Sequence, residues 1–220
     1  MPDAVIFDWD GTIADTREAV VASFQETLRG IGVEVEDTFI EKRIGIGATN
    51  TFKEALKAAR KSFTERMLKE LVKRKIVAQV NLADTVTLFD GAIELLDSLR
   101  NSVPIGLASM NNRKVIVNLL TKMRLAEYFQ AVITADEVKH PKPCPDIFLE
   151  CARRLGCSPD RCVVVEDSVF GVKAARGAGM KCIAVPTGAY TRTQLEEMKP
   201  DLVVNSLKER EKIRSFILRS

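Results

Sequence analysis

The chain lacks most of the features that mark a specialised protein. It has one histidine, one tryptophan and two tyrosines in 220 residues, and aromatics make up only 6%. The single His140 cannot complete a Cys/His zinc set, and none of the five cysteines (Cys144, Cys151, Cys157, Cys162, Cys182) stands in C-x-x-C spacing. An odd number of thiols without a pairing pattern reads as reduced cysteines in the cytoplasm, most of them small buried hydrophobes. No run of about 18 apolar residues occurs, so no membrane span is expected. The opening residues show no basic segment followed by a long apolar stretch. The net charge is only +3, and no Lys/Arg stripe with interleaved aromatics appears. That argues against a nucleic-acid partner. No internal repeat and no low-complexity linker is evident. What is present is an ordinary globular mixture, 46% hydrophobic and 29% charged. The length suits one domain, or one domain with a sizeable insertion.

Six short runs rich in β-branched residues punctuate the chain, at 4–7, 103–108, 131–134, 162–165, 181–185 and 201–204. None alternates cleanly with polar residues. Runs apolar on both faces suit a parallel sheet covered by helices on both sides. Helical periods lie between them. Residues 91–100 carry Ile93, Leu95, Leu96 and Leu99, and 112–123 carry Val115, Ile116, Leu119, Leu120 and Met123. Pro145 stands where a first-turn proline is favoured, and Gly179 follows a helical pattern over 168–178. The alternation predicts an α/β fold with a doubly wound, Rossmann-like, mostly parallel sheet. One segment departs from it. Residues 15–84 show no convincing strand and three helical stretches, at 17–28, 50–60 and 64–82. Ser62 and Glu65 have capping-box spacing at the start of the third. This segment reads as an all-α insertion.

The chemistry gathers where the strand runs stop. Asp8 ends the first run and Asp10 follows in "DWDG"; Ser109 ends "VPIGLAS"; Glu166 and Asp167 end "CVVVED". Lys142 lies between Pro141 and Pro143 in "KHPKPCPD", ahead of a helix start. Those prolines restrain its backbone. In an open parallel sheet the carboxyl ends of the strands share one edge, where ligands bind. Converging carboxylates repel unless a cation compensates them. Hard oxygen donors suit Mg²⁺, which commonly bridges carboxylates and a phosphate. A carboxylate can attack phosphorus to give an aspartyl-phosphate. Phosphoryl transfer then needs charge neutralisation and in-line positioning, which an ammonium and a hydroxyl supply. A second acid two residues after the nucleophile can protonate the leaving oxygen and later take a proton from water.

"DWDGT", "LAS", "KPCPD" and "VVVEDSVFGVKAARGAGM" resemble, in order and spacing, the four motifs of the haloacid dehalogenase-like hydrolase superfamily. The resemblance implies that Asp8 is the nucleophile and Asp10 the general acid/base, with Thr12 supporting the first turn. It implies that Ser109, Met110 and Lys142 hold the phosphoryl group. Asp8, Asp10 through its backbone carbonyl, Glu166 and Asp167 would hold Mg²⁺, Asp167 being the firmer of the last two and Glu166 a ligand or a supporting acid. It implies a core of residues 1–14 and 85–220 and a helical cap of 15–84. The "GIG" at 45–47 follows no strand and is no dinucleotide fingerprint. It is either a helix–helix turn or a cap loop that brings Arg43, Gly45, Thr49 and Asn50 to the substrate. Asn111, Asn112 and Arg113 either touch a distal substrate group or cap the next helix. His140 reads as a surface residue, and Gly11, Gly171 and Gly179 as tight turns or close approaches.

The expected activity is that of a Mg²⁺-dependent phosphatase acting on a small phosphorylated metabolite. Members that displace halide lack an acid at the Asp10 position, so dehalogenation is disfavoured. Two alternatives stand beside it. "EDSVFGVKAA" resembles the subgroup containing β-phosphoglucomutase, which implies a sugar phosphomutase. A non-catalytic regulatory module could also retain the fold. Oligomeric state and the particular substrate are not readable from these residues.

Overall fold

The computed structural model describes residues 4–219. In chain order its strands are β1 (Ala4–Phe7), β2 (Ala14–Asp15), β3 (Thr87–Leu88), β4 (Ile105–Ser109), β5 (Ala131–Thr134), β6 (Cys162–Glu166), β7 (Lys181–Ala184) and β8 (Leu202–Val203). Six of them form the predicted parallel sheet, in the order β5-β4-β1-β6-β7-β8. The apolar runs of β1, β4 and β6 are buried on both faces because alternate residues serve different layers. Val5 and Phe7 of β1, with Val163 and Val165 of β6, enter one hydrophobic cluster. Ala4, Ile6, Cys162 and Val164 enter the other.

The helices are α1 (Arg17–Arg29), α2 (Asp37–Glu41), α3 (Ala48–Ala58), α4 (Glu65–Asn81), α5 (Ala92–Leu99), α6 (Arg113–Lys122), α7 (Asp146–Leu155), α8 (Val169–Gly177), α9 (Arg192–Glu197) and α10 (Arg210–Arg219). Leucines and isoleucines of α5, α6 and α10 cover one face of the sheet. α7, α8 and α9 cover the other, through Ile147, Phe148, Val172 and Leu195. Helices α1 to α4 pack around a third cluster of their own, with Val20, Phe24, Leu28, Phe52, Leu56, Leu68 and Leu71. The Phe24 and Phe52 rings sit 4.8 Å apart at its centre.

Three local expectations need correction. β2 and β3 pair antiparallel where the insert leaves and rejoins the chain, so Asp15 lies in a strand. The N-cap of α4 is Thr64, not Ser62: its extended backbone sets the hydroxyl to accept the Met67 amide at 3.2 Å. α3 begins at Ala48, directly after Gly47, whose φ of 85° breaks any earlier turn. α4 keeps its apolar residues inward, with Met67, Val72, Ile76 and Val80 partly buried against the cores. Its buried positions are Leu68, Leu71, Lys75, Ala78 and Gln79, while Val77 is exposed. Among the described residues no helix is long and apolar enough to cross a membrane.

Candidate active site

β1 is central, flanked by β4 and β6, so Asp8 emerges between the ends of two neighbouring strands. The Asp8 amide donates to the Val165 carbonyl at 3.0 Å, extending the ladder one residue past β1. Ser109 is the last residue of β4, and Glu166 the last of β6. The loop after β5 carries Lys142 back over the same edge. Its ammonium lies 2.6 Å from both Asp8 Oδ1 and Glu166 Oε1, and 4.7 Å from the Phe148 ring. Four residues far apart in sequence therefore meet at one rim of the sheet, all buried.

Glu166 is fully occupied by protein partners. Oε1 receives Lys142, and Oε2 receives the Asp167 amide, the Ser168 amide and the Ser168 hydroxyl. Asp167 is less engaged. Its Oδ1 accepts the Thr12 hydroxyl at 3.1 Å. Its Oδ2 lies against Gly11 and Gly188, where a Cβ at either position would overlap it. Asp8, Glu166 and Asp167 each offer an oxygen within 4.8 Å of the others.

Burial, then Glu166 and Asp10, push the Asp8 carboxyl well above the ordinary range, against the pull of Lys142. Burial, then Glu166 and Asp8, do the same to Asp167. Burial opposes the charge on Lys142, but Asp8 and Glu166 outweigh it and hold its pKa above the usual lysine value. One ammonium thus serves Asp8, Glu166 and Asp167. That excess of buried negative charge, with Asp167 lacking a cationic partner, is what a hard divalent cation would relieve, and the oxygen-only donor set fits Mg²⁺.

Asp10 is held apart from this cluster by its own partners. Oδ1 accepts the Thr16 hydroxyl at 2.8 Å and the Asn111 side-chain amide at 2.7 Å, and Oδ2 accepts the Ser109 hydroxyl at 2.9 Å. Asn111 is a neighbour of Asp10 and also borders the adjoining cavity. Asn112 is the cap of α6, accepting the Lys114 amide at 3.0 Å, although it also borders the adjoining cavity. Arg113 pairs with Glu137 at 3.2 Å and does not line that cavity. His140 is exposed and bonded to Asp146.

A cavity of about 370 Å³ opens beside Asn111, the partner of Asp10, between helices α3 and α4 on one side and the loops after β4 and β5 on the other. Thr49, Asn50 and Lys75 line it from the insert, and Met110, Asn111 and Asn112 from the core. Gly45 and Arg43 border a smaller space reaching Asp10. The Arg43 guanidinium itself is tied within the insert, at 2.6 Å to Glu54 and stacked on Phe39. The "GIG" loop thus does reach the rim, yet the residues nearest Asp10 include two that the motifs did not flag. Thr16 sits one turn of chain past the motif. Lys75 sits mid-helix, at the next buried position of α4 after Leu68 and Leu71.

A model of the haloacid dehalogenase-like hydrolases matches residues 5–185. The chain belongs to that family. The hydrolase is 34% identical over 182 residues to fructose-1-phosphate phosphatase YqaB of Escherichia coli (strain K12), covering 82% of this chain and 95% of that one. It is 30% identical over 185 residues to hexitol phosphatase B of the same strain, covering 83% of each. A crystal structure of β-phosphoglucomutase from Clostridium difficile superposes with a TM-score of 0.87 at 28% identity over the whole of both chains. The hydrolase shares the fold of that mutase over its whole length.

Proposed function

We propose that this hydrolase is a Mg²⁺-dependent phosphatase that cleaves a small phosphorylated metabolite through an aspartyl-phosphate on Asp8. The observation that carries this reading is the meeting of Asp8 and Asp10 with Ser109 and Lys142 at one buried rim. Two phosphatases among the relatives support it. The insert, residues 15–84, is read as a cap over a core of 1–14 and 85–220.

Asp8 Oδ attacks phosphorus in line, the phosphorus–oxygen ester bond breaks, and the leaving oxygen takes a proton from Asp10. Asp10 then removes a proton from water, which attacks the aspartyl-phosphate, frees inorganic phosphate and restores Asp8. Lys142 offers its charge to the transferring oxygens, and Glu166 fixes where that charge sits. Ser109, bonded to Asp10 at rest, can turn its hydroxyl to a phosphoryl oxygen. Asp8, Asp167 and the backbone carbonyl of Asp10 would hold Mg²⁺, which when bound neutralises phosphoryl charge. With both oxygens already engaged, Glu166 is assigned to Lys142 rather than to the ion.

Release of phosphate from p-nitrophenyl phosphate, measured with Mg²⁺ and with EDTA, tests this. Turnover is expected only with Mg²⁺ and to vanish in Asp8→Asn; turnover retained by Asp8→Asn refutes the covalent route. The likeness to β-phosphoglucomutase keeps phosphomutase chemistry as the second reading. It predicts an isomerised sugar phosphate in place of free phosphate, because a sugar hydroxyl replaces water as the second attacker.

A further inference from the structure

A second space, of about 20 Å³, reaches the buried acids, and it shares no lining residue with the 370 Å³ cavity. The buried Asp10 and Asp167 line it, together with Asp15, Arg17, Glu41 and Tyr190 nearer the surface. Asp167 is the acid with a vacancy. Its Oδ1 takes the Thr12 hydroxyl, while Oδ2 receives no donor among the described residues. Asp15 and Glu41 form no ion pair among the described residues, and Asp15 Oδ1 accepts only the Arg17 amide, at 3.2 Å. The Arg17 guanidinium turns instead to the Gly188 carbonyl, at 3.5 Å. Arg43, two residues past Glu41, is tied to Glu54.

The two spaces differ in charge. Lys53, Lys75 and Lys139 line the large cavity against the single carboxylate of Asp136. Lys75 donates to Gln79 Oε1 and, at 3.1 Å, to Asn111 Oδ1. Such a wall attracts a phosphorylated substrate and repels a free cation. The small space has the reverse balance, four carboxyl groups against the one guanidinium of Arg17. Charges of one sign gathered at an opening concentrate the opposite ion and raise its association rate. Size adds a condition. A space of about 20 Å³ admits one water-sized group. Mg²⁺ keeps several waters and sheds them reluctantly. The hydrated ion therefore does not fit while Tyr190 is bonded to the Lys42 carbonyl at 2.7 Å and Arg17 to Gly188.

We propose that Asp15 and Glu41 form an entry for the divalent cation, separate from the cavity that takes the substrate. The inference rests on the metal site of the phosphatase reading. The two carboxylates gather the hydrated ion at the mouth, and the 187–190 loop yields by breaking the Tyr190 and Arg17 contacts. Asp167 Oδ2 is the first buried ligand beyond them. Loading the ion then does not require an empty substrate cavity.

The test is the rate of Mg²⁺ loading, read apart from turnover. The full chain is mixed with MgCl₂ in stopped flow while a metallochromic indicator follows free Mg²⁺, and release is timed by an EDTA chase. The double variant Asp15→Asn/Glu41→Gln keeps the shape of both side chains and removes their charge. At an ionic strength of about 10 mM, where charges act over about 30 Å, it should load about threefold or more slowly than wild type. The gap should close at about 0.5 M salt, where that reach falls to about 4 Å. Release should change far less, because charges at a rim act chiefly on association. Lys53→Gln/Lys139→Gln should load at the wild-type rate. Loading by the acidic double variant at the wild-type rate in low salt overturns the inference and leaves the phosphatase reading intact. So does faster loading in Lys53→Gln/Lys139→Gln, which puts the path of the ion through the large cavity. No saturable Mg²⁺ uptake by the wild-type chain overturns the metal site and the inference together.

Discussion

Gly171 matters to the site because it has no side chain. A Cβ there would overlap the Glu166 carboxylate, the group that fixes the second contact of the Lys142 ammonium. Gly171→Ala should therefore displace Glu166 and let Lys142 drift from Asp8. A misplacement of about 1 Å can cost on the order of 100-fold in rate. We expect kcat to fall by about that factor, with phosphate release as the measurement and circular dichroism confirming that the sheet persists. Lys75 carries a second prediction at this scale. A lysine whose pKa falls from 10.5 to about 8 on folding binds its proton more weakly in the folded chain. Between those values the unfolded chain holds more protons, so stability rises with pH through that window. Below about pH 8 the whole penalty is present, on the order of 3 kcal/mol for a buried group. Lys75→Met should thus be no less stable than wild type at pH 7 despite two lost hydrogen bonds. Its advantage should be smaller at pH 9.5, as followed by urea denaturation at both values. The sequence displays Asp8, Ser109, Lys142 and Asp167 because each ends a strand run or sits beside a proline, and Asp10 because it follows Asp8 in "DWDG". It hides Lys75 because a charged residue amid Lys, Arg and Glu looks like a solvated face until the helix is packed.

At the scale of elements, the segment after β7 ties the sheet to the segment that holds α1 and α2. The Tyr190 hydroxyl donates to the Lys42 carbonyl at 2.7 Å, and its ring meets Phe170 edge-on. Nearby, the Arg17 guanidinium reaches the Gly188 carbonyl at 3.5 Å. Tyr190→Phe deletes a hydroxyl and little else. A hydrogen bond of this kind contributes about 0.5–1.5 kcal/mol net. If closure over the substrate uses this contact, the closed population falls by that amount and KM rises roughly two- to tenfold. Steady-state kinetics on p-nitrophenyl phosphate measure it; a KM equal to wild type would show that the contact does not bear on closure. None of this was readable in advance, since "TGAYT" carries no periodicity and a tyrosine in a loop has many possible partners. The same limit explains β2 and β3: two-residue strands contain no alternation to detect. The six runs of the parallel sheet were readable because burial on both faces leaves them almost purely apolar, and α5, α6 and α8 because each buries a full stripe against that sheet.

Across the whole molecule, burial is divided three ways. Two clusters sandwich the sheet, and the third lies inside α1 to α4 with no residue from the six-stranded sheet in it. A lobe with its own core can lose stability without taking the sheet with it. Phe52 is fully buried at the centre of that third cluster, against Phe24. Phe52→Ala should cost about 3–5 kcal/mol, the usual range for removing a buried phenyl ring. If the lobe is a separate cooperative unit, that loss falls on it first. Hydrogen exchange should then quicken across the backbone amides of α1, α3 and α4 while those of β1, β4 and β6 keep their protection. Activity should fall as well, because Lys75 and the 45–50 loop reach the cavity from this lobe, although Asp8, Lys142 and Glu166 remain in place on the sheet. Uniform acceleration over both regions would instead mean that lobe and sheet unfold as one body. In that case residues 15–84 would be an integral layer of the fold rather than a cap.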